Sequence, residues 1–301
     1  MNELDALRDA CRGLLSKQAE GAWGRLCSEI GVAGLLVPES YGGAGAGMAE
    51  ACIVQEELGR TLTPAPMLST ILATQALLLT GNSEACQRLL PGIANGSNVA
   101  ALVWSEFVLD AGIADTFLVV DGDDLLELDR AQVAVEPLVA MDESRHMGRV
   151  KMLSEGTKLG PFSEKVRDMA IVALAAEQVG AAERAFELTV EYTKSRVQFG
   201  RPIGSFQALQ HRMADLHVLV ETARSAYLAA LVGEPSSAAV AKVHCSEAFQ
   251  KVAAEMIQLH GGIGITWEHD AHRYFKRAHG SAELFGHPRT HVARLASHVL
   301  D

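Results

Sequence analysis

The sequence predicts a mostly α-helical chain interrupted by one small β-domain. Three observations predict it. Apolar residues recur at steps of three and four over the first third, and again from Ser163 onward. Alanine is abundant and aromatics make up only 5% of 301 residues. Small side chains let helices approach closely. Between the helical parts lie short β-prone runs separated by turn residues. The length and the 49% hydrophobic share exceed one small core and suit two or three lobes.

Leu4, Leu7, Cys11 and Leu14 fall at helical spacing, as do Trp23, Leu26 and Ile30. Pro38 to Gly47 reads as a loop, because Pro and Gly break both periods. A helix is expected from about Met48 to Leu58, stopping near Gly59, with more helix over Ile71–Leu79 and Glu84–Leu90. The texture changes after Pro91-Gly92. Val99–Trp104, Phe117–Val120, Leu125–Leu128, Val133–Val135 and Val150–Leu153 read as strands of a small antiparallel sheet. Asp121-Gly122-Asp123-Asp124 reads as a hairpin turn between two of them. A domain of roughly 60 residues buries little core alone and should lean on helices either side.

From Ser163 the pattern is helical again. Met169, Val172, Ala176, Val179, Ala182, Phe186 and Val190 draw one apolar stripe, and Phe206 to Tyr227 repeat it. Pro235-Ser236-Ser237 opens a third helix with a serine N-cap. That helix ends at Gly261-Gly262. A fourth spans about Asp270 to Leu284, and after Gly286-His287-Pro288 a last one carries Arg289 to Leu300. Long helices with short connections suggest an antiparallel bundle. The domains expected are residues 1–97 (helical), 98–160 (a truncated β-domain) and 161–301 (a four-helix bundle).

A net charge of −11 repels phosphate backbones and anionic lipid, which argues against nucleic acid and membrane as partners. Five cysteines without a CxxC pair fit reduced thiols rather than a disulfide framework or a zinc site. Met1-Asn2-Glu3-Leu4-Asp5 has no basic or apolar signal region, and no apolar run would span a bilayer. The expectation is a soluble cytoplasmic protein.

Two segments carry chemistry. The first runs from Arg196 through Phe199, Gly200, Arg201 and Gln207 to Gln210. A guanidinium at a helix end can pair bidentately with a diphosphate, and a ring three residues on can stack on a purine. Spacing alone favours an ordinary helix–turn–helix corner. The second is Gln258-Leu259-His260-Gly261-Gly262-Ile263-Gly264. Its glycines permit close approach of a backbone or a ligand, and by itself it reads equally as a glycine-rich C-cap.

Together the segments resemble the acyl-CoA dehydrogenase family, whose R-x-x-F-G-x-x-I-x-x-x-Q and Q-x-x-G-G-x-G motifs occur here in order. Val37-Pro38-Glu39-Ser40-Tyr41-Gly42-Gly43 and Glu56-Glu57-Leu58-Gly59-Arg60 resemble the family's N-terminal loop and following helix end. The resemblance implies a helical N-terminal domain, a β-domain and a C-terminal four-helix bundle. It implies that Arg196, Phe199, Gln207, Gln258, Gly261 and Gly262 grip the adenine and diphosphate half of an FAD bound in a neighbouring subunit.

Family members remove the substrate α-proton with a glutamate while hydride leaves Cβ for the flavin. In most, that glutamate lies in a Y-E-G-T segment. Counted from Gln258, its position here is Phe285, which cannot accept a proton. Some members carry the base on the first bundle helix, where this chain has Ala170 followed by Ile171. Glu177, two turns further on, reads as a capping or bundle-surface carboxylate rather than a base. Glu283 faces elsewhere. The family's T-E-P-x-x-G-S-D and W-I-T segments, which cradle the flavin ring, are missing where Trp104-Ser105-Glu106-Phe107 runs into Val108. No catalytic residue is therefore assigned.

The pattern resembles the degenerate subunits of heteromeric actinobacterial acyl-CoA dehydrogenases, which act on steroid-derived CoA thioesters. It implies a homodimer, or a heterotetramer with a full-length relative that binds most of the acyl-CoA. FAD would be shared at the interface, and whether the chain alone retains it stays open. Two rivals also stay open: a non-enzymatic homodimeric scaffold, and a self-sufficient dehydrogenase using Glu177. Gly43–Gly47 reads as a plain loop because no βαβ unit surrounds it. His260, His269, His272, His279, His287 and His291 read as surface histidines rather than a metal site, and no serine sits in a G-x-S-x-G setting.

Overall fold

A computed structural model describes residues 3–17, 19, 21–233 and 236–300. Met1, Asn2 and Pro235 of the readings above lie outside the described residues. The helical N-terminal part holds α1 (Glu3–Leu15), the single turn α2 (Trp23–Arg25), α3 (Met48–Thr61), α4 (Met67–Leu79) and α5 (Ser83–Ala94). Strands β1 (Ala100–Val103), β2 (Val108–Leu109), β3 (Thr116–Asp121), β4 (Asp124–Asp129), β5 (Val133–Leu138), β6 (Met147–Met152) and β7 (Thr157–Pro161) follow. Then come α6 (Lys165–Ser195), a small hairpin of β8 (Val197–Gln198) and β9 (Arg201–Pro202), α7 (Gln207–Val232), α8 (Ser237–His260), α9 (Ala271–Glu283) and α10 (Pro288–Leu300). The mostly helical fold with a central β-region is the one expected.

The chain divides into two compact units. Residues 1–55 with 63–173 form one, and 56–62 with 174–301 form the other. In the first unit the strands make two sheets, ordered β1-β3-β4-β7 and β2-β6-β5. The β3–β4 hairpin turns at Gly122, whose φ of +59° suits glycine. The sheet is not purely antiparallel: β1 pairs with β3 in parallel, with Ala100 opposite Thr116. The parallel pair arises because β2 leaves for the second sheet between them. Phe117, Val119 and Leu128 meet Ala101, Val108 and Val133 in one apolar core. The sheets lean on the preceding helices. Asn82 at the start of α5 donates to the Leu159 carbonyl at 2.9 Å, and Arg88 of α5 pairs with Glu127 of β4.

Three helix readings need correction. α3 does not stop at Gly59 but runs on to Thr61. A Cβ on Gly59 would lie 2.1 Å from the Glu177 carbonyl oxygen, and one on Gly180 would lie 2.0 Å from that of Glu56. The glycines let the end of α3 and the middle of α6 touch through their backbones. α5 continues through Pro91-Gly92 to Ala94, with proline inside the helix. Ser236 occupies the N-cap of α8 at φ +61° but makes no side-chain capping bond.

Two burial readings also change. α6 does not bury a single stripe: every residue from Ala170 to Ala182 is buried, as in a helix covered all round. His260 and His291 are buried rather than on the surface. In the second unit Phe249, Val252 and Met256 of α8 pack with Leu216, Val220 and Tyr274. Among the described residues, no helix is long and apolar enough to cross a membrane, and no cluster of His, Cys, Asp and Glu could hold a metal ion.

Candidate functional site

The first motif segment begins where α6 ends. The Arg196 amide donates to the Tyr192 carbonyl at 2.8 Å, and the Ile203 amide returns to the Arg196 carbonyl at 2.8 Å. The chain between them folds as a hairpin with Val197 opposite Pro202 and Gln198 opposite Arg201. Phe199 and Gly200 form its tip at φ +54° and +78°, the positive pair that tight hairpins use. Glycine takes this conformation freely. For a phenylalanine it is strained, and such strain persists where the surrounding structure imposes it. Phe199 is 92% exposed. Its ring meets Phe206 edge-on at 6.2 Å, and the Arg201 guanidinium sits 4.0 Å above the same Phe206 ring. Gln207, the first residue of α7, is exposed.

The second segment lies at the end of α8. Gly261 closes the helix at φ +65°, ψ −143°, a conformation closed to other residues. Gln258, Gly261 and Gly262 are exposed. A Cβ on either glycine would meet nothing within 4 Å, so open space faces both.

A contact that the sequence reading did not anticipate joins the two segments. The Tyr192 and His260 rings are stacked, with centroids 4.2 Å apart and planes at 24°. The Tyr192 hydroxyl donates to the His260 carbonyl at 3.3 Å. His260 also lies 4.2 Å from the His269 ring. His260 Nδ1 donates to the Met256 carbonyl at 2.7 Å, while its buried Nε2 has no hydrogen-bond partner. Burial lowers the His260 pKa and the nearby His269 adds to this, against a raising effect of the Met256 hydrogen bond. The ends of α6 and α8 are thereby fastened, and the arginine-led hairpin and the glycine pair share one end of the helical unit. A tyrosine one turn before Arg196 was the available signal.

Phe285, which the sequence resemblance aligns with the family base, lies just after α9. It is half-buried and holds a strained φ of +59°. Its carbonyl accepts a hydrogen bond from His291 Nε2 at 3.0 Å. The buried Lys242 donates to the carbonyls of Ser281 and Ala282, each at 3.0 Å, and so ties down the preceding helix end. Ala170, the alternative base position, is a fully buried methyl. Glu177 is neither a surface carboxylate nor a cap. It is buried and ion-paired with the equally buried Arg277 at 2.9 Å. Glu283 is 70% exposed.

In the first unit, residues 104–107 are the whole link between β1 and β2. Trp104 stands edge-on to Phe162 at 6.2 Å with the Arg167 guanidinium 5.0 Å over its ring. The neighbouring cleft of about 430 Å³ is shallow and lined by Glu106, Val135, Glu136, Arg149, Val150 and Lys151.

Known proteins resemble this chain in sequence and in fold. Residues 3–97 match the acyl-CoA dehydrogenase N-terminal domain, and residues 168–300 match the acyl-CoA dehydrogenase C-terminal domain. The chain is 48% identical to acyl-CoA dehydrogenase IpdE2 of Mycobacterium tuberculosis, over 93% of this chain and 87% of that protein. It is 47% identical to the IpdE2 of Mycolicibacterium smegmatis, over 92% and 87% of the two chains. Among solved structures it resembles the Tcur3481-Tcur3483 steroid ACAD, with a TM-score of 0.88 and 27% identity over 99% of this chain and 98% of that one. The ChsE4-ChsE5 complex of Mycobacterium tuberculosis shares the fold, with a TM-score of 0.88 at 24% identity over 100% and 98% of the chains. Fold and relatives converge, and the chain belongs to the acyl-CoA dehydrogenase family.

Proposed function

We propose that this chain is the non-catalytic subunit of a heteromeric acyl-CoA dehydrogenase and completes the flavin site of a catalytic partner. The observation that carries the reading is a contrast within one helical unit. The end bearing Arg196, Phe199, Gln207, Gln258, Gly261 and Gly262 keeps its side chains and glycines exposed, while the base position holds Phe285. These residues fit a flavin nucleotide. An exposed guanidinium suits a diphosphate, an exposed ring suits a purine, and the glycines leave the space a nucleotide backbone needs. FAD, when bound, supplies the hydride acceptor.

The chain's own residues bind and orient. Arg196 neutralises the diphosphate, Phe199 presents a ring face, and Tyr192 and His260 hold the two gripping segments together. Neither Phe285 nor Ala170 can take an α-proton, and Glu177 is committed to Arg277. Proton abstraction and most acyl-CoA contacts therefore fall to the partner. The steroid ACAD among the similar structures supports a bulky, steroid-derived acyl group as the substrate class.

Co-expression with full-length relatives encoded nearby tests the reading, followed by visible spectra and dye-coupled oxidation of CoA thioesters. The expected result is a yellow complex whose turnover disappears when this chain is left out. If no relative gives such a complex, the reading is wrong. A stable self-dimer that never joins a relative would favour a scaffold instead.

A further inference from the structure

We propose that Trp267, with Ile265, is the anchor by which this chain docks onto the flavin-bearing subunit. The inference rests on the function proposed above and adds a part of the surface that the motifs do not include. Trp267 is 72% exposed and Ile265 71%; Ile265 ends the Gly261–Ile265 turn and Trp267 lies in the short link from it to α9. Large apolar side chains gathered in one place on a surface mark interaction sites.

The indole is held in place. Lys276 Nζ stands 4.7 Å from its ring centroid, and the His272 ring meets it edge-on at 4.6 Å. Both come from α9. A tryptophan oriented before binding loses little freedom on binding, which is the property of interface anchors.

The link belongs to the same end of the unit as the nucleotide grip. His269, two residues beyond Trp267, lies 4.2 Å from the His260 ring and 6.4 Å from that of Tyr192. A flavin carried by another chain cannot reach Arg196 and Gly261 unless that chain's surface also lies over this end. Trp267 and Ile265, together with Val197 and Phe199 of the hairpin, are exposed apolar groups for it to cover.

Charge selects the occupant. Asp270 is taken up by Arg273 at 3.3 Å. Glu191, beside Tyr192, pairs with Arg184 at 3.5 Å. Against Glu268 stand Arg196, Arg201 and Lys276, on a chain of net charge −11. A two-fold pairing of identical copies here would bring these cations onto themselves, whereas a subunit presenting a diphosphate meets them with opposite charge.

The probe is the FAD-loaded full-length acyl-CoA dehydrogenase co-expressed with this chain. Titration calorimetry would measure its association with wild-type, Trp267→Ala, Trp267→Phe and Arg196→Ala chains. Trp267→Ala should weaken association by about tenfold or more with flavin per assembled complex unchanged. Trp267→Phe should recover most of the affinity. Arg196→Ala should lower the flavin content instead. Should Trp267→Ala unfold the chain, Ile265→Ser serves the same purpose. A normal complex with unchanged affinity in the Trp267 and Ile265 variants overturns the anchor alone. Absence of a yellow complex with the wild-type chain overturns the proposed function and the anchor with it. A self-dimer of the chain that dissociates on Trp267→Ala assigns the patch to a second copy and also refutes the proposal.

Discussion

The ring of Tyr192 is stacked on that of His260 at 4.2 Å, and its hydroxyl binds the His260 carbonyl. This one contact sets the arginine-led hairpin beside the glycine pair. Tyr192→Phe keeps the stack and removes a hydrogen bond, which contributes about 0.5–1.5 kcal/mol. Flavin retention by the assembled complex should stay near wild type. Tyr192→Ala removes both contacts and should release flavin several-fold faster. Equal release from the two variants would disconnect the contact from the site.

The backbone contact of α3 with α6 makes a second prediction. Gly180→Ala places a methyl 2.0 Å from the Glu56 carbonyl, and Gly59→Ala places one 2.1 Å from that of Glu177. Each should destabilise the helical unit by about 1–3 kcal/mol or more through overpacking. Urea denaturation followed by circular dichroism reads this. Unchanged midpoints in both variants would show that the helices part easily.

Glu177 and Arg277 form a buried pair, and removing one partner takes this ion pair from the other's buried charge. Glu177→Ala should therefore cost about 3–5 kcal/mol of stability. The double variant Glu177→Gln, Arg277→Met should recover much of it. A base would behave differently: Glu177→Gln would abolish turnover with stability intact.

The lowered pKa of His260 gives a pH dependence of known sign. The unfolded histidine titrates near 6.5 and the folded one lower, chiefly because it is buried. Below 6.5 the unfolded chain takes up a proton that the folded chain refuses. The contribution to stability is thus complete above that pH and fades as pH falls toward the folded pKa. His260→Phe keeps an aromatic ring and cannot titrate. Its denaturation midpoint should fall less between pH 7 and pH 5 than that of the wild type, and an identical fall in both would exclude His260 as the source.

Much of this was legible from spacing. Apolar periodicity located α1 and α7, and Asp121-Gly122-Asp123-Asp124 marked a hairpin whose geometry the structure reproduces. The errors share a cause. Gly59 and Pro91 carry the local signature of a helix stop, but Gly59 is there so that another backbone can approach. No local rule distinguishes these uses. Glu177 read as a surface group because its partner lies 100 residues away, on α9. The two motif segments were visible separately. Their meeting was not, because it depends on one tyrosine–histidine stack between helices far apart in sequence.

The central claim is that this chain supplies no proton acceptor. Its most direct test is the complex with a full-length partner whose own base glutamate has been changed to glutamine, mixed anaerobically with a substrate thioester while the flavin's visible absorbance is followed. The account predicts that the flavin stays oxidised. Bleaching of the flavin in that complex, lost again when Glu177 is also replaced, would contradict it.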